Sequence, residues 1–335
     1  MNKYGMLVVG GLLSLGAFAA DEGVTLGGYA DAGYIWSHQK GDSDVGGFVV
    51  REGAVYVGKK FGEWQVFGDF AFGQKFNQNG TLLVSQAFVS TSMDNGLSWK
   101  LGKFDGLFGA YAGTVDSWTY RLTDKGLLQG YSPTSHTGWA GSYSLSDMLK
   151  VTALVANDSD TKTSDFNGTR NADLGVVVNA DLDAVKADVG ALFTTGHGAG
   201  SDSKLGYLVT ANVHGSFSGF DLGVYGLLNK NDKKDAKTDF GFGVNVGHDL
   251  TSKLALNVRG EYLNTKSASI IYPGEDINNV AEIAGLKNAM LGTVGAQWKF
   301  SNSVVGKLDY SYLKADSASK FEPESTVNAA IVANF

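Results

Sequence analysis

The chain has 335 residues, 43% hydrophobic and 18% charged, with 46 Gly, 3 Pro, no Cys and a formal net charge of −7. Gly stands at about twice its usual share without collagen's three-residue period or proline, and 12% aromatics exclude a disordered chain. Mean hydropathy of −0.06 excludes a bundle of membrane helices, the acidic balance excludes a nucleic-acid partner held by phosphate neutralisation, and the missing Cys excludes thiolate metal sites.

At the N-terminus, Met1-Asn2-Lys3 is a short positive start and residues 6–18 are apolar apart from Gly and Ser14. Ala17-Phe18-Ala19 adds a small-x-small cleavage site, so residues 1–19 read as a secretory signal peptide and residues 20–335 as one barrel domain. From residue 24 onward, period-two alternation replaces any helical spacing. The first run sets Val24, Leu26, Gly28, Ala30, Ala32, Tyr34 and Trp36 against Thr25, Gly27, Tyr29, Asp31, Gly33 and Ser37. In residues 47–59, the adjacent Arg51 and Glu52 must face opposite ways unless a bulge intervenes. Further on, Val185, Ala187, Val189, Ala191 and Phe193 alternate with Lys186, Asp188, Gly190 and Thr194. The cleanest run sets Leu254, Leu256, Val258, Gly260 and Tyr262 against Lys253, Asn257, Arg259 and Glu261. At the C-terminus, Val327, Ala329, Ile331, Ala333 and Phe335 share a face. Runs of this length match the roughly 9–11 tilted residues that cross a bilayer.

Short connections fall near Phe61-Gly62, Asp94-Asn95-Gly96, Ser146-Asp147, Asp181-Leu182-Asp183, Ser216-Phe217-Ser218, Leu250-Thr251-Ser252 and Ser301-Asn302. Longer polar stretches alternate with them, as at 157–170, 229–238, 264–289 and 314–324. Seven turns and eight loops require about 16 strands with both ends at the short-turn rim. The pattern predicts an all-β fold, a transmembrane antiparallel β-barrel with short periplasmic turns and long extracellular loops. Trp36 and Phe72 near the loops, and Trp64, Trp99, Trp298 and Phe300 near the turns, suit two interfacial girdles. Strand-end aromatics of a soluble sheet would look the same, and alternation alone does not tell inside from outside. The expectation is apolar residues toward outer-membrane lipid and polar residues toward water, because side chains cannot fill so wide a barrel.

By parity the pore lining includes Asp31, Asp69, Lys100, Lys186, Asp188, Arg259, Glu261, Lys299, Lys307 and Asp309, all expected to be solvated. Asp173, Asp221, Asp239 and Lys150 fall on the same face. Five His, with His136 and His214 inward, show no metal-ligand spacing and read as solvated. Gly215-Ser216-Phe217-Ser218-Gly219 is a turn rather than a nucleophile elbow, and Gly241, Gly243 and Gly247 lie in a strand rather than a nucleotide loop. No catalytic constellation and no cofactor site emerge, so the chain does not read as an enzyme.

Three stretches carry a family resemblance: FVVREGAVYVGKKFGEWQVFGDFAF from Phe48, SQAFVSTSMDNGLSWKLGKFDGLFG from Ser85, and SPTSHTGWAGSYSLSDMLKVTALVAND from Ser132. Together they resemble the OmpL-like β-barrel porin family, with some similarity to phosphate-selective porins. The resemblance implies an exported outer-membrane porin, monomeric or homotrimeric, whose water-filled channel passes small hydrophilic solutes and ions by passive diffusion. A non-conducting surface barrel, an adhesin or structural protein whose loops bind partners, is the alternative. The terminal Phe335 resembles the signal read by the barrel assembly machinery. Porins commonly fold the third long loop inward, which here points to residues 105–133 as the constriction. That stretch offers Asp105, Asp116, Arg121, Asp124 and Lys125 as its charges, with Phe108, Tyr111, Trp118 and Tyr120 to pack it. Simple extension of the fifth and sixth strands is the other reading of that stretch. Residues 109–131 depart from the family pattern, and the dense arginine ladder of an anion-specific porin is missing.

Overall fold

The structure is a computed structural model and describes residues 24–39, 44–72, 83–109, 121–123, 126–128, 132–133, 135–157, 172–195, 205–230, 237–265, 269–271, 282–284, 286–317 and 323–335. The expected signal peptide, residues 1–19, lies outside the described residues.

The alternating runs form β1 (Val24–Gln39), β2 (Val45–Phe61), β3 (Trp64–Phe72), β4 (Leu83–Ser92), β5 (Leu97–Asp105) and β6 (Ser135–Ser144). There follow β7 (Leu149–Ala156), β8 (Asp173–Leu182), β9 (Val185–Thr195), β10 (Leu205–Phe217), β11 (Phe220–Lys230) and β12 (Asp239–Asp249). Last come β13 (Leu254–Asn264), β14 (Ser269–Ile271), β15 (Glu282–Ala284), β16 (Leu286–Lys299), β17 (Val304–Ser317) and β18 (Glu324–Asn334). β14 and β15 pair only with each other, inside the connection from β13 to β16. The other sixteen form one closed antiparallel barrel in chain order, with β18 returning to β1. Closure leaves no strand edge without a partner, which spanning hydrocarbon demands. At the seam, Gly28 and Phe335 exchange backbone hydrogen bonds of 2.9 Å in both directions.

The turns obey local chemistry. Ser218 and Gly219 take φ of 52° and 82°, the paired positive values whose twist matches a two-residue hairpin. β8 runs on through Leu182 and β10 through Phe217, so these two hairpins are tighter than the turn residues alone suggested.

Arg51 and Glu52 show what a bulge does. Asp31 pairs with Glu52 and Ala32 pairs with Val50, so the register skips Arg51. Both side chains therefore turn inward, and both are buried.

The outer face decides which side meets lipid. Val57, Leu101, Val155, Val178, Val189, Val213, Val224, Val244, Val258, Val294, Leu308 and Ile331 are exposed, and these residues are spread around the barrel from β2 to β18. Water-facing surfaces rarely carry so extensive an apolar area, whereas a membrane requires it. At the short-turn rim, Trp64 and Trp99 meet edge to face at 5.2 Å beside buried Thr91, with Trp298 and Phe300 exposed at the same level. At the opposite rim, Trp36 stacks on the His38 ring at 6.0 Å.

Candidate functional site: a segment folded into the lumen

The site begins where β5 ends. The chain leaves the wall after Asp105 and rejoins it at Ser135, and its described residues between those points lie against inward-facing side chains. Phe108 is buried beside Gly175 of β8 and Gly190 of β9, with its ring edge-on to His136 at 5.5 Å. The Leu107 N–H donates to His136 Nε2 at 3.2 Å, and Asn212 Nδ2 of β10 donates to the Gly109 carbonyl at 2.9 Å.

Further along, the segment touches the far wall. Arg121 forms an ion pair with Asp221 of β11 and another, at 2.8 Å, with Asp249 of β12, both at the short-turn rim. Lys307 Nζ of β17 donates to the Leu122 carbonyl at 3.2 Å. Thr123 gives its N–H to Asp309 of β17 and accepts a guanidinium hydrogen bond from Arg51 of β2 at its carbonyl. Leu127 donates its N–H to Glu261 of β13. Backbone groups of an irregular segment need partners when water is excluded, and here charged wall side chains supply them.

Glycine explains how the segment fits. A Cβ on Gly241 would collide with Leu128, one on Gly295 with Leu122 and Asp309, and one on Gly247 would press on Arg121. On the segment itself Gly126 has φ of +83°, and a Cβ there would run into the Glu261 carboxylate. Two of the three glycines weighed against a nucleotide loop, Gly241 and Gly247, are the floor on which Leu128 and Arg121 rest. Gly243 also makes room. It lies between Tyr225 and Glu261 in register, and its bare Cα lets the Tyr225 hydroxyl reach Glu261 Oε1 at 2.7 Å.

These contacts change the character of the wall. The expected solvated residues Asp31, Asp69, Arg259, Glu261, Lys307 and Asp309 do face inward, yet none is more than 5% exposed. The segment and neighbouring side chains cover them, and charge pairing compensates for the lost water. Arg51 Nε lies 3.3 Å from Asp31, and Tyr29 donates to Glu52 at 3.0 Å. Arg259 Nε lies 3.7 Å from Glu261, and its Nη2 reaches Thr293 Oγ1 at 3.3 Å. His136 also departs from expectation, being buried against Phe104 and Phe108 rather than solvated.

Asp173 and Asp239, expected on the same solvated face, are buried as well, and the remaining residues of the sequence-derived set are reachable by solvent. Lys186 is exposed and pairs with Asp181 at 3.2 Å, and half-buried Asp188 accepts from Asn212 Nδ2 at 2.6 Å. Lys100 is half-buried and Lys299 is exposed at the short-turn rim. Of the constriction candidates, Asp105 is half-buried and its N–H donates to Gln86 Oε1 at 3.3 Å, while Arg121 sits at the rim as described. Asp116, Asp124 and Lys125 lie outside the described residues, as do Tyr111, Trp118 and Tyr120. Phe335 is half-buried against Gly28 at the barrel seam.

Parity reasoning missed two groups. Arg51, Glu52, Tyr29 and Tyr225 join the buried polar network, and only the bulge beside Asp31 could have announced the first two. An apolar cluster also lines the lumen toward the long loops, with Leu154, Leu192, Leu227, Leu263, Leu291 and Leu313 packed with Phe104, Phe108, Leu127 and Leu128. Its signal was the apolar doublets Leu154-Val155, Leu192-Phe193, Leu227-Leu228, Tyr262-Leu263, Met290-Leu291 and Tyr312-Leu313, which break the alternation. Each doublet gives one residue to the outward register, exposed in every case but half-buried Tyr262, and one to the folded-in segment's surroundings.

Among the described residues no cluster of His, Asp and Glu could hold a metal ion. A profile for the family beta-barrel porin-2, OmpL-like, matches residues 23–334. No curated protein matches the chain. Among solved structures, an anion-selective porin from Comamonas acidovorans superposes with a TM-score of 0.67 at 13% identity, over 93% of this chain and 99% of that one. OmpF of Salmonella typhi in complex with daunomycin gives 0.67 at 14% identity, covering 93% and 97%. The trimer form of OmpT from Vibrio cholerae gives 0.59 at 12% identity, covering 94% and 100%. Identities this low carry the fold alone.

Proposed function

The chain belongs to the beta-barrel porin-2, OmpL-like family, and from that premise we propose that this outer-membrane porin conducts small hydrophilic solutes and ions by passive diffusion past the folded-in segment. The observation that carries the reading is the division of the inward face. Part of it is covered by residues 106–109, 121–123 and 126–128, while Lys100, Lys150, Lys186, Asp188 and His214 keep contact with solvent inside a ring whose outside is apolar. A segment tied to both walls narrows the lumen, and charged groups beside a narrow path act strongly on passing ions. Of the constriction candidates, Arg121 lies at the mouth on the turn side, and Asp105 at the start of the segment.

Export by cleavage after Ala19 and recognition of Phe335 by the barrel assembly machinery complete the proposal, with outer-membrane lipid around the apolar belt. A homotrimer, as in the Vibrio cholerae relative, is the assembly we propose. Purified protein added to a planar lipid bilayer tests the reading: discrete, ohmic conductance steps are expected. A silent bilayer, with the protein inserted, would overturn it and leave a surface barrel acting through its loops.

A further inference from the structure

The charges of the inward face are unequally used. On the covered wall, acids and bases are consumed together: Glu261 and Asp309 take backbone N–H groups of the segment, Asp221 and Asp249 take Arg121, and Arg51 and Lys307 take segment carbonyls. On the open wall, the acids are also engaged. Asp181 pairs with Lys186, and Asp188 accepts from Asn212. Two cations remain.

Lys100 of β5 and Lys150 of β7 both point inward, in register with Ala140 and Ser144 of the strand between them. Neither forms an ion pair within salt-bridge distance among the described residues. The Lys100 ammonium lies 4.6 Å from the Phe104 ring centroid and 5.9 Å from that of Phe88, which orients it while it donates no hydrogen bond among the described residues. Lys150 is exposed just above the short turn. The two ammonium groups are near enough to repel each other, and Asp105, at the end of β5, attracts Lys100 from the loop side. His214 of β10 is exposed on the same inner face.

Building on the porin reading above, we propose that Lys100 and Lys150 form a two-step cationic track on the open wall and make the channel prefer small anions. An anion leaving Lys150 finds Lys100 next, and the aromatic shelf of Phe88 and Phe104 keeps that ammonium from folding onto a neighbouring carboxylate. Screening by salt weakens the acidic loops at a distance but acts less on charges at the passage itself. The segment thus sets selectivity indirectly, by covering the wall carboxylates that would otherwise balance the two lysines.

Reversal potentials in a KCl gradient across a planar bilayer test this. The wild-type channel is expected to favour chloride. Replacing both residues, Lys100→Gln with Lys150→Gln, should lower the chloride-to-potassium permeability ratio severalfold, and Lys100→Arg with Lys150→Arg should keep it. Lys103→Gln, on the outward register of β5 where Lys103 Nζ donates to the Val84 carbonyl, should leave it unmoved. Conducting glutamine variants with an unchanged ratio, or a wild-type channel that favours potassium, would overturn the track while leaving the porin reading intact. Absence of any conductance in the wild type would overturn the porin reading itself.

Discussion

The wall made by β1, β2, β13 and β17 and the wall made by β5 to β10 present the same kinds of residue to the lumen. Both carry Asp, Lys and amides on inward register positions, and both back onto Val and Leu facing lipid. Arg259, on the first wall, is 1% exposed, whereas the Lys186 side chain, on the second, is 56% exposed. The difference comes from residues 121–123 and 126–128, which lie over one wall and turn its charges into anchors. Under that cover an ion pair is shielded from water and its loss is felt in full; at exposed positions of the other wall, such as Lys150 and Lys186, water replaces what a substitution removes. A charge in such a barrel is therefore structural or conductive according to what covers it.

Glu261→Ala should separate the walls most strongly. It takes a carboxylate away from buried Arg259, the Tyr225 hydroxyl and the Leu127 N–H, at a cost of about 3–5 kcal/mol, whereas Lys150→Ala should stay within about 0.5 kcal/mol. Urea unfolding of the detergent-solubilised barrel reads both, and equal midpoints for the two variants would erase the difference between covered and open walls.

Gly241→Val probes the seat rather than the anchor. Its side chain would occupy the place of Leu128, so a loss of about 1–3 kcal/mol is expected together with a change in single-channel conductance as the segment shifts. A variant with native conductance and native stability would show that the segment does not rest there.

The smallest effect belongs to Arg121→Gln. The Arg121 side chain is 33% exposed and its partners Asp221 and Asp249 are 40% and 53% exposed. Exposed pairs of this kind contribute below about 1 kcal/mol, so stability should barely change. The two released carboxylates should instead move the reversal potential modestly toward cations, and a shift as large as that of the Lys100 and Lys150 pair would move the selective point to the turn-side mouth.

Much of this molecule was legible along the chain. Period-two alternation, seven short turns and the terminal strand ending in Phe335 fixed an even count near sixteen and the rim at which both ends lie, and the closed barrel agrees. The conflict between Arg51 and Glu52 announced a bulge, and the register breaks at that point. These features are local: a strand's side-chain period and a turn's φ values depend on residues a few positions apart. The burial of Asp31, Glu261 and Asp309 was not legible, nor was the role of Gly241, Gly247 and Gly295 as a seat. Each depends on a segment that meets Arg51 at a separation of 72 residues, Glu261 at 134 and Asp309 at 186. Alternation is symmetric between inside and outside, so the lipid face was expected from the aromatic girdles and the barrel's width, and the exposed Val189, Leu256 and Val258 agree. The sequence by itself determined the strands, their number and their rims; the tertiary structure decided which charges water still reaches, because covering a side chain takes a partner brought from far along the chain.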